Sequence, residues 1–479
     1  MASSTTHEFK RSLGLLDATM IVVGSMIGSG IFIVSADITR SVGSAGWLIL
    51  VWILTGVLTL TAALSYGELS GMYPKAGGQY VYLKEAFNPL VGFLYGWSFF
   101  AVIQAGSIAA VGVAFAKFTA YIFPSLGEKH VLFDLGMLKI TAAQVTAILL
   151  IVVLTWINGR GVKEGKWIQT TFTLAKIIAL AGLVIFGFLL AAHRDIAAAN
   201  WSTGFQLGRL DAEQILPYTG LAALGAIAGS MVGSLFSSDS WNNVTFIAGE
   251  IKKPERNIGL SLFLGTLIVT TIYVATNLMY VYVMPMEAIA SAENDRVGVA
   301  ASQLIFGDSG TKVIAVLLMI STFGCNNGLI LSGARVYYTM AKDGLFFRQA
   351  GVLNKNAVPG KALWMQCLWA SLLCLSGRYG ELLDYVIFVV LIFYILTIIG
   401  IFRLRKNKPH IARPYKAFGY PVLPMIYVLL ASCVCLLLLI YKPKYTWPGL
   451  GIVLLGIPLY YFLRGRPTAS SPLQRFDTD

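Results

Sequence analysis

The chain has 479 residues, 57% of them hydrophobic and 12% charged, with a formal net charge of +13. Soluble domains average roughly 45–50% apolar and about 25% charged residues, so a water-soluble globule is excluded and the apolar excess is expected to face lipid. No polar linker or Pro/Gly/Ser tract divides the chain into the several soluble domains that its length would otherwise suggest.

The excess falls in twelve stretches of mainly apolar residues. At ~1.5 Å per residue, each is long enough to cross a hydrocarbon layer of roughly 30 Å. In chain order the predicted spans are 13–41, 45–71, 89–123, 141–158, 166–192, 216–250, 257–284, 310–341, 361–377, 382–402, 421–441 and 446–463. A cleavable signal peptide is not expected, because Ser12–Phe32 has no small-residue cleavage site and leads straight into more membrane.

With the N-terminus placed inside, Lys and Arg concentrate in the inner loops and tails while the outer loops are close to balance. That is the positive-inside pattern. The basicity therefore reads as topology and not as a nucleic-acid surface, and it puts both tails, 1–12 and 464–479, in the cytoplasm. The densest run, Arg403–Lys416, holds six Lys/Arg and no acid. It reads first as an orientation signal, with anionic lipid heads as the alternative.

Several chemistries can be set aside. Cys325, Cys367, Cys374, Cys433 and Cys435 all fall in predicted spans, so no loop offers a disulfide pair, and no cofactor or metal is expected. Gly161–Trp167 looks like a phosphate loop, but it has three residues between its glycines instead of four and lacks Ser/Thr after the Lys. The four histidines lie in tails or loops, which leaves an intramembrane enzyme without a base. Asn200-Trp-Ser202 is a glycosylation sequon on the predicted outer side.

Two spans break the rule that a membrane helix satisfies its own backbone. In the first, Gly24, Gly28 and Gly30 are interleaved with Ser25 and Ser29; in the sixth, a polar run from Ser237 to Asn243 follows an apolar segment. Small residues four apart also mark simple helix packing. The two breaks occupy equivalent places in two five-span halves, 13–192 and 216–402, with 421–463 as two added helices. Five spans per half make this an inverted repeat, and paired interrupted segments point to a transporter site at the bilayer midplane. An α-amino acid fits such a pair. Its carboxylate would meet N–H groups of Ser29, Gly30 and Ile31, with Gly28 and Gly30 permitting close approach. Its ammonium would meet carbonyls near Ile27 and from Phe236, Ser237 and Ser238.

These residues resemble a known family. GSMIGSGIF in the first span, Pro74-Lys-Ala-Gly-Gly-Gln-Tyr80 after the second, FSSDSWNN in the sixth and Ser321-Thr-Phe-Gly-Cys-Asn-Asn-Gly328 in the eighth are similar to the amino acid–polyamine–organocation superfamily, in its L-type amino acid transporter branch. The resemblance implies an all-α membrane protein of about twelve helices, with the five-plus-five inverted repeat of the bacterial leucine transporter, unwound first and sixth helices, and alternating access to a central amino acid. It marks Ser29, Gly30 and Ile31 as the carboxylate-binding turn, Phe236 as a gating aromatic and Asn242 as the polar residue beside it.

Two charges carry most of the functional reading. Lys176 lies about 20 Å along the fifth helix from Lys163, too deep for easy snorkelling. In family members with a lysine here it resembles a replacement for a sodium ion; the bland alternative is a lysine that only holds helices together. Asp239 stands where many neutral L-type members carry glycine and where a branch handling cationic amino acids and cystine carries aspartate. It could face a cationic side chain, carry a proton, or be a structural carboxylate bonded by Ser237, Ser240 or Asn243. Gln104 and Asn327 could line the pocket or hydrogen-bond helices together.

The expected function is secondary, sodium-independent amino acid exchange at a bacterial inner membrane. Proton symport or uniport is the alternative and a channel the different-class one. The segment Pro124–Lys139 lacks the outer-loop cysteine by which eukaryotic L-type subunits bond a glycoprotein, so no disulfide-linked heavy chain is expected.

Overall fold

The computed structural model describes residues 11–134, 139–211, 214–376 and 379–464, and within these the side chains of 162–169, 309, 376, 379 and 464 are not described. The tails 1–10 and 465–479, and the side chains of the phosphate-loop lookalike after Gly161, lie outside the described residues.

The chain is a helical assembly. It begins with α1 (Leu15–Met26), α2 (Gly30–Val42), α3 (Ala45–Met72), α4 (Gln79–Ala86), α5 (Pro89–Ser98), α6 (Gln104–Ile122), α7 (Ala142–Arg160), α8 (Val162–Phe186) and α9 (Arg194–Ser202). It continues with α10 (Leu221–Ser237), α11 (Asn243–Phe246), α12 (Pro254–Val283), α13 (Met286–Ala290), α14 (Val297–Lys342), α15 (Gly360–Ser376), α16 (Tyr379–Asn407), α17 (Val422–Tyr441) and α18 (Pro443–Arg464). The strands form two short antiparallel hairpins, β1 (Val131–Asp134) with β2 (Lys139–Thr141) and β3 (Gly208–Asp211) with β4 (Gln214–Pro217). Local chemistry sets many boundaries. Asn88 caps α5 by accepting from Val91 N at 3.0 Å, with Pro89 in the first turn. Thr141 and Gln144 form a capping box on α7.

Among the described residues nine helices are long and apolar enough to cross a membrane alone, or ten if the bent pair α1 and α2 counts as one span. This is fewer than twelve for a physical reason. The sixth expected span is interrupted by its polar run, leaving α10 with 17 residues, and α15, on the ninth, also has 17. The span Pro89–Ile122 is the most enclosed, with 89% of its apolar window buried, while Thr170–Ala191 and Pro443–Leu463, at 28%, lie at the periphery. Around this centre α3 packs on α12, α6 on α14, α7 on α15 and α2 on α10.

Charge is consumed inside the assembly. Glu68, with a fully buried side chain, receives Arg405 through two hydrogen bonds at 2.9 and 2.6 Å, Arg413 at 3.3 Å and the Ala417 N–H at 2.8 Å. Lys408 pairs with Glu85 at 2.6 Å. Three cations of the basic run therefore clasp α3 and α4, which sequence alone did not suggest. Arg335, equally buried, pairs with Glu250 at 3.1 Å. Asn200 is a structural residue: its amide donates to the carbonyls of Val281 and Met284 and its oxygen accepts from Met286 N. The sequon asparagine is thus turned inward.

Candidate functional site

The first span opens where helix formers give way to glycine and serine. α1 ends at Met26, Ile27 leaves the helix at φ −72°, ψ 94°, and α2 restarts at Gly30 with Ser29 before it, bent by 41°. The first N–H groups of a restarting helix have no intrahelical acceptor. Ser29, Gly30 and Ile31 therefore sit where those donors and the positive dipole end converge.

Lys176 answers the other half of the break. Its ammonium, on a side chain only 1% exposed, donates to Gly24 O at 2.6 Å and Ile27 O at 2.7 Å, and lies 3.5 Å from Ser321 O. The last carbonyls of α1, which lose their helical donors when the helix stops, are held by a cation from α8.

The sixth span breaks beside it. α10 stops at Ser237, Ser240 adopts φ 66°, and α11 begins at Asn243. The two breaks touch: a Cβ on Gly30 would lie 1.8 Å from Ser237 Oγ. Glycine is required there for contact and not for conformation. Gly28 is similarly pressed on Cys325, whose thiol donates to Ser25 O at 3.1 Å. Tyr273 of α12 joins both breaks, its hydroxyl 2.9 Å from Met26 O and from Ser237 O.

The carbonyls expected to take an ammonium are already engaged. Ile27 O accepts from Lys176, Ser237 O from Tyr273, and Phe236 O from the Asp239 N–H at 3.1 Å. Each retains a second lone pair. Phe236 is buried in the last turn of α10, and Ser238 follows the end of that helix.

Asp239 is not held by the side chains of Ser237 or Asn243. It accepts from the backbone N–H of Ser240 and, at 2.6 Å, from the hydroxyl of Tyr394 of α16, inside a cluster of Tyr66, Trp241 and Tyr394 with ring centroids 4.7–5.9 Å apart. Cavities of about 20 and 10 Å³ flank this contact, each room for about one water. Asn242 donates to Gln79 at 2.9 Å. Gln104 donates to Leu329 O at 2.6 Å while lining the smaller cavity, and Asn327 accepts from Asn158 at 2.8 Å. Gln104 and Asn327 thus tie α6 and α7 to α14, and the structure does not bring Asn327 to the breaks by any of these bonds.

Tyr273, Tyr394, Gln79 and Cys325 were missed in the sequence. Only Gln79 and Cys325 had a signal, since they stand inside quoted motifs. Among the described residues no group of three His, Cys, Asp or Glu side chains could hold a metal.

Comparison with known proteins bears on the family of the chain. The chain is 30% identical over 455 residues to the mouse large neutral amino acids transporter small subunit 2, covering 94% of this chain and 81% of that one. It is 28% identical over 464 residues to the mouse Asc-type amino acid transporter 1, covering 96% and 82%. It is 27% identical over 463 residues to the human b(0,+)-type amino acid transporter 1, covering 96% and 88%. A family profile described as amino acid permease matches residues 13–457. With two broken helices meeting at a lysine-held junction and a match over nearly its whole length, this membrane protein belongs to the amino acid permease family.

Proposed function

We propose that this permease is a sodium-independent exchanger of L-amino acids working by alternating access. The observation that carries the reading is the Lys176 ammonium on the Gly24 and Ile27 carbonyls, a fixed cation at the junction where a transported or bound cation would otherwise be needed. Substrate carboxylate would bind the N–H groups of Ser29, Gly30 and Ile31 beside Gly28. Its ammonium would use the second lone pairs of Ile27 and of Phe236, Ser237 and Ser238, with Phe236 as gate and Asn242 beside it.

The pairing of α3 with α12, α6 with α14, α7 with α15 and α2 with α10 supports halves 13–192 and 216–402 related by an inverted repeat, since the first four spans of the first half each meet their counterpart. The contact of Gly30 with Ser237 supports a carrier over a channel, because the two breaks close on each other and leave no continuous ring of filter groups. Asp239 supports acceptance of cationic side chains, and its burial beside Tyr394 favours proton coupling as the second reading. Charge distribution supports cytoplasmic termini, and the lack of an outer-loop cysteine in Pro124–Lys139 supports placing the carrier in a bacterial inner membrane. One similar protein is named as a small subunit; the absence of cysteine from Pro124–Lys139 supports a carrier with no disulfide-linked heavy chain.

The test is a competition panel of all twenty amino acids against labelled leucine in proteoliposomes, with and without internal amino acid and a proton gradient. Inhibition by neutral and cationic amino acids, stimulation by internal substrate and indifference to the gradient are expected. Dependence on the gradient without stimulation would transfer the role to proton symport.

A further inference from the structure

We propose that Gln79 is a positioning residue that latches the site shut on its inner side. The inference rests on the alternating-access reading above. The segment Pro74–Tyr80 was singled out by its sequence, yet no binding role absorbs it. In the structure it lies against α11, the part of the sixth span that follows the break and that the charge distribution assigns to the inner side. Gly77 and Gly78 have φ of 100° and 44°, and a Cβ on Gly78 would fall 2.2 Å from Thr245 Oγ1 and 2.9 Å from the Thr245 carbonyl carbon. Only glycine gives both that backbone and that approach. The Gly77 N–H donates to Phe246 O at 3.1 Å, and Thr339 of α14 donates to Ala76 O at 3.3 Å.

This contact delivers Gln79 to one place. Its oxygen accepts from Asn242 at 2.9 Å, and its amide donates to Thr397 Oγ1 of α16 at 3.1 Å. All three side chains are buried, and Gln79 lines the small cavity together with Asp239 and Asn242. Thr397 stands three residues after Tyr394 on the same helix face, so the break of the sixth span is fastened to α16 twice: Asp239 to Tyr394, and Asn242 through Gln79 to Thr397. The bridging position needs one acceptor and one donor, which a glutamine amide supplies and an alanine or an ionised glutamate does not. Neutral hydrogen bonds suit a latch that opens in each cycle, because water can replace them when the inner side floods. The buried pair Glu250–Arg335 would cost far more to break.

Loss of the latch should raise the population of inward-open protein. Apparent affinity scales with the fraction of protein in the competent state. The outer KM should therefore rise and the inner KM fall. The experiment measures both in sided proteoliposomes for wild type, Gln79→Ala, Gln79→Glu and Thr397→Val. The ratio of outer to inner KM is expected to rise about tenfold in Gln79→Ala and about threefold in Thr397→Val, from the loss of two and one buried hydrogen bonds. Gln79→Glu, which keeps the acceptor for Asn242, should match Thr397→Val. A purely structural role would lower the maximal rate from both sides at constant ratio, and an unchanged or reversed ratio overturns the inference. If Gln79→Ala does not fold, the other two variants carry the same readout. Wild type that shows no saturable exchange would remove the exchanger reading itself, and this inference with it.

Discussion

Replacing Lys176 with methionine keeps a long apolar stem in the helix packing and deletes the ammonium alone. Two hydrogen bonds are lost, at 2.6 and 2.7 Å to Gly24 O and Ile27 O. Hydrogen bonds to charged groups contribute about 1.5–3 kcal/mol each, so the lower end gives about 3 kcal/mol for the pair. Interhelical bonds in membranes average nearer ~0.6 kcal/mol, which gives about 1.2 kcal/mol. At 1.4 kcal/mol per tenfold, the open turn of the first span should become about tenfold to a hundredfold less populated in its binding-competent form. Apparent affinity should fall by the same factor. The assay is stimulated uptake of labelled amino acid into proteoliposomes loaded with unlabelled substrate, with elution profile and thermal unfolding in detergent as the control for folding. Wild-type KM and rate in a folded Lys176→Met protein would refute the reasoning.

Three further outcomes follow from contacts at the site and below it. Gly30→Ala places a Cβ 1.8 Å from Ser237 Oγ and 3.0 Å from its Cα, whereas Gly229→Ala meets only Lys442 Cε at 3.8 Å. Exchange should be lost in the first and stay within about twofold of wild type in the second, and equal activities would contradict the closed contact. Asp239→Gly should lower arginine uptake relative to leucine by at least about tenfold; an unchanged ratio in transport assays would remove Asp239 from side-chain recognition. Glu68→Gln leaves Arg405 and Arg413 without their buried carboxylate, a loss of about 3 kcal/mol. It should lower the thermal midpoint of the detergent-solubilised protein by several degrees, and an unaltered midpoint would show that the clasp contributes nothing.

The two breaks were legible because they violate a composition rule locally: three glycines in seven residues from Gly24 to Gly30, and a polar run inside an apolar block. Lys176 was legible for the same reason, as a charge too deep to snorkel. The partners that complete the site were not. Tyr273 and Tyr394 are ordinary aromatics by composition, and each acquires its role from a residue 155 or more positions away, Asp239 for Tyr394 and Met26 for Tyr273. Periodicity carries no information on such pairings. The basic run shows the same limit from the other side. Its sign reads as an orientation signal, but sequence could not reveal that Arg405 and Arg413 fold back onto Glu68. Asn200 illustrates how a short motif misleads, since an asparagine that bonds three backbone groups from the inside has no amide to offer a sugar.

The most direct measurement of the central claim is counterflow. Vesicles containing this protein, loaded with unlabelled leucine, are given trace labelled leucine outside in sodium-free buffer with no proton gradient. The account predicts saturable uptake that transiently concentrates label inside, is strongly stimulated over empty vesicles and does not change when sodium is added. Flux that rises linearly with concentration and ignores the internal amino acid, or uptake that appears only with sodium, would contradict it.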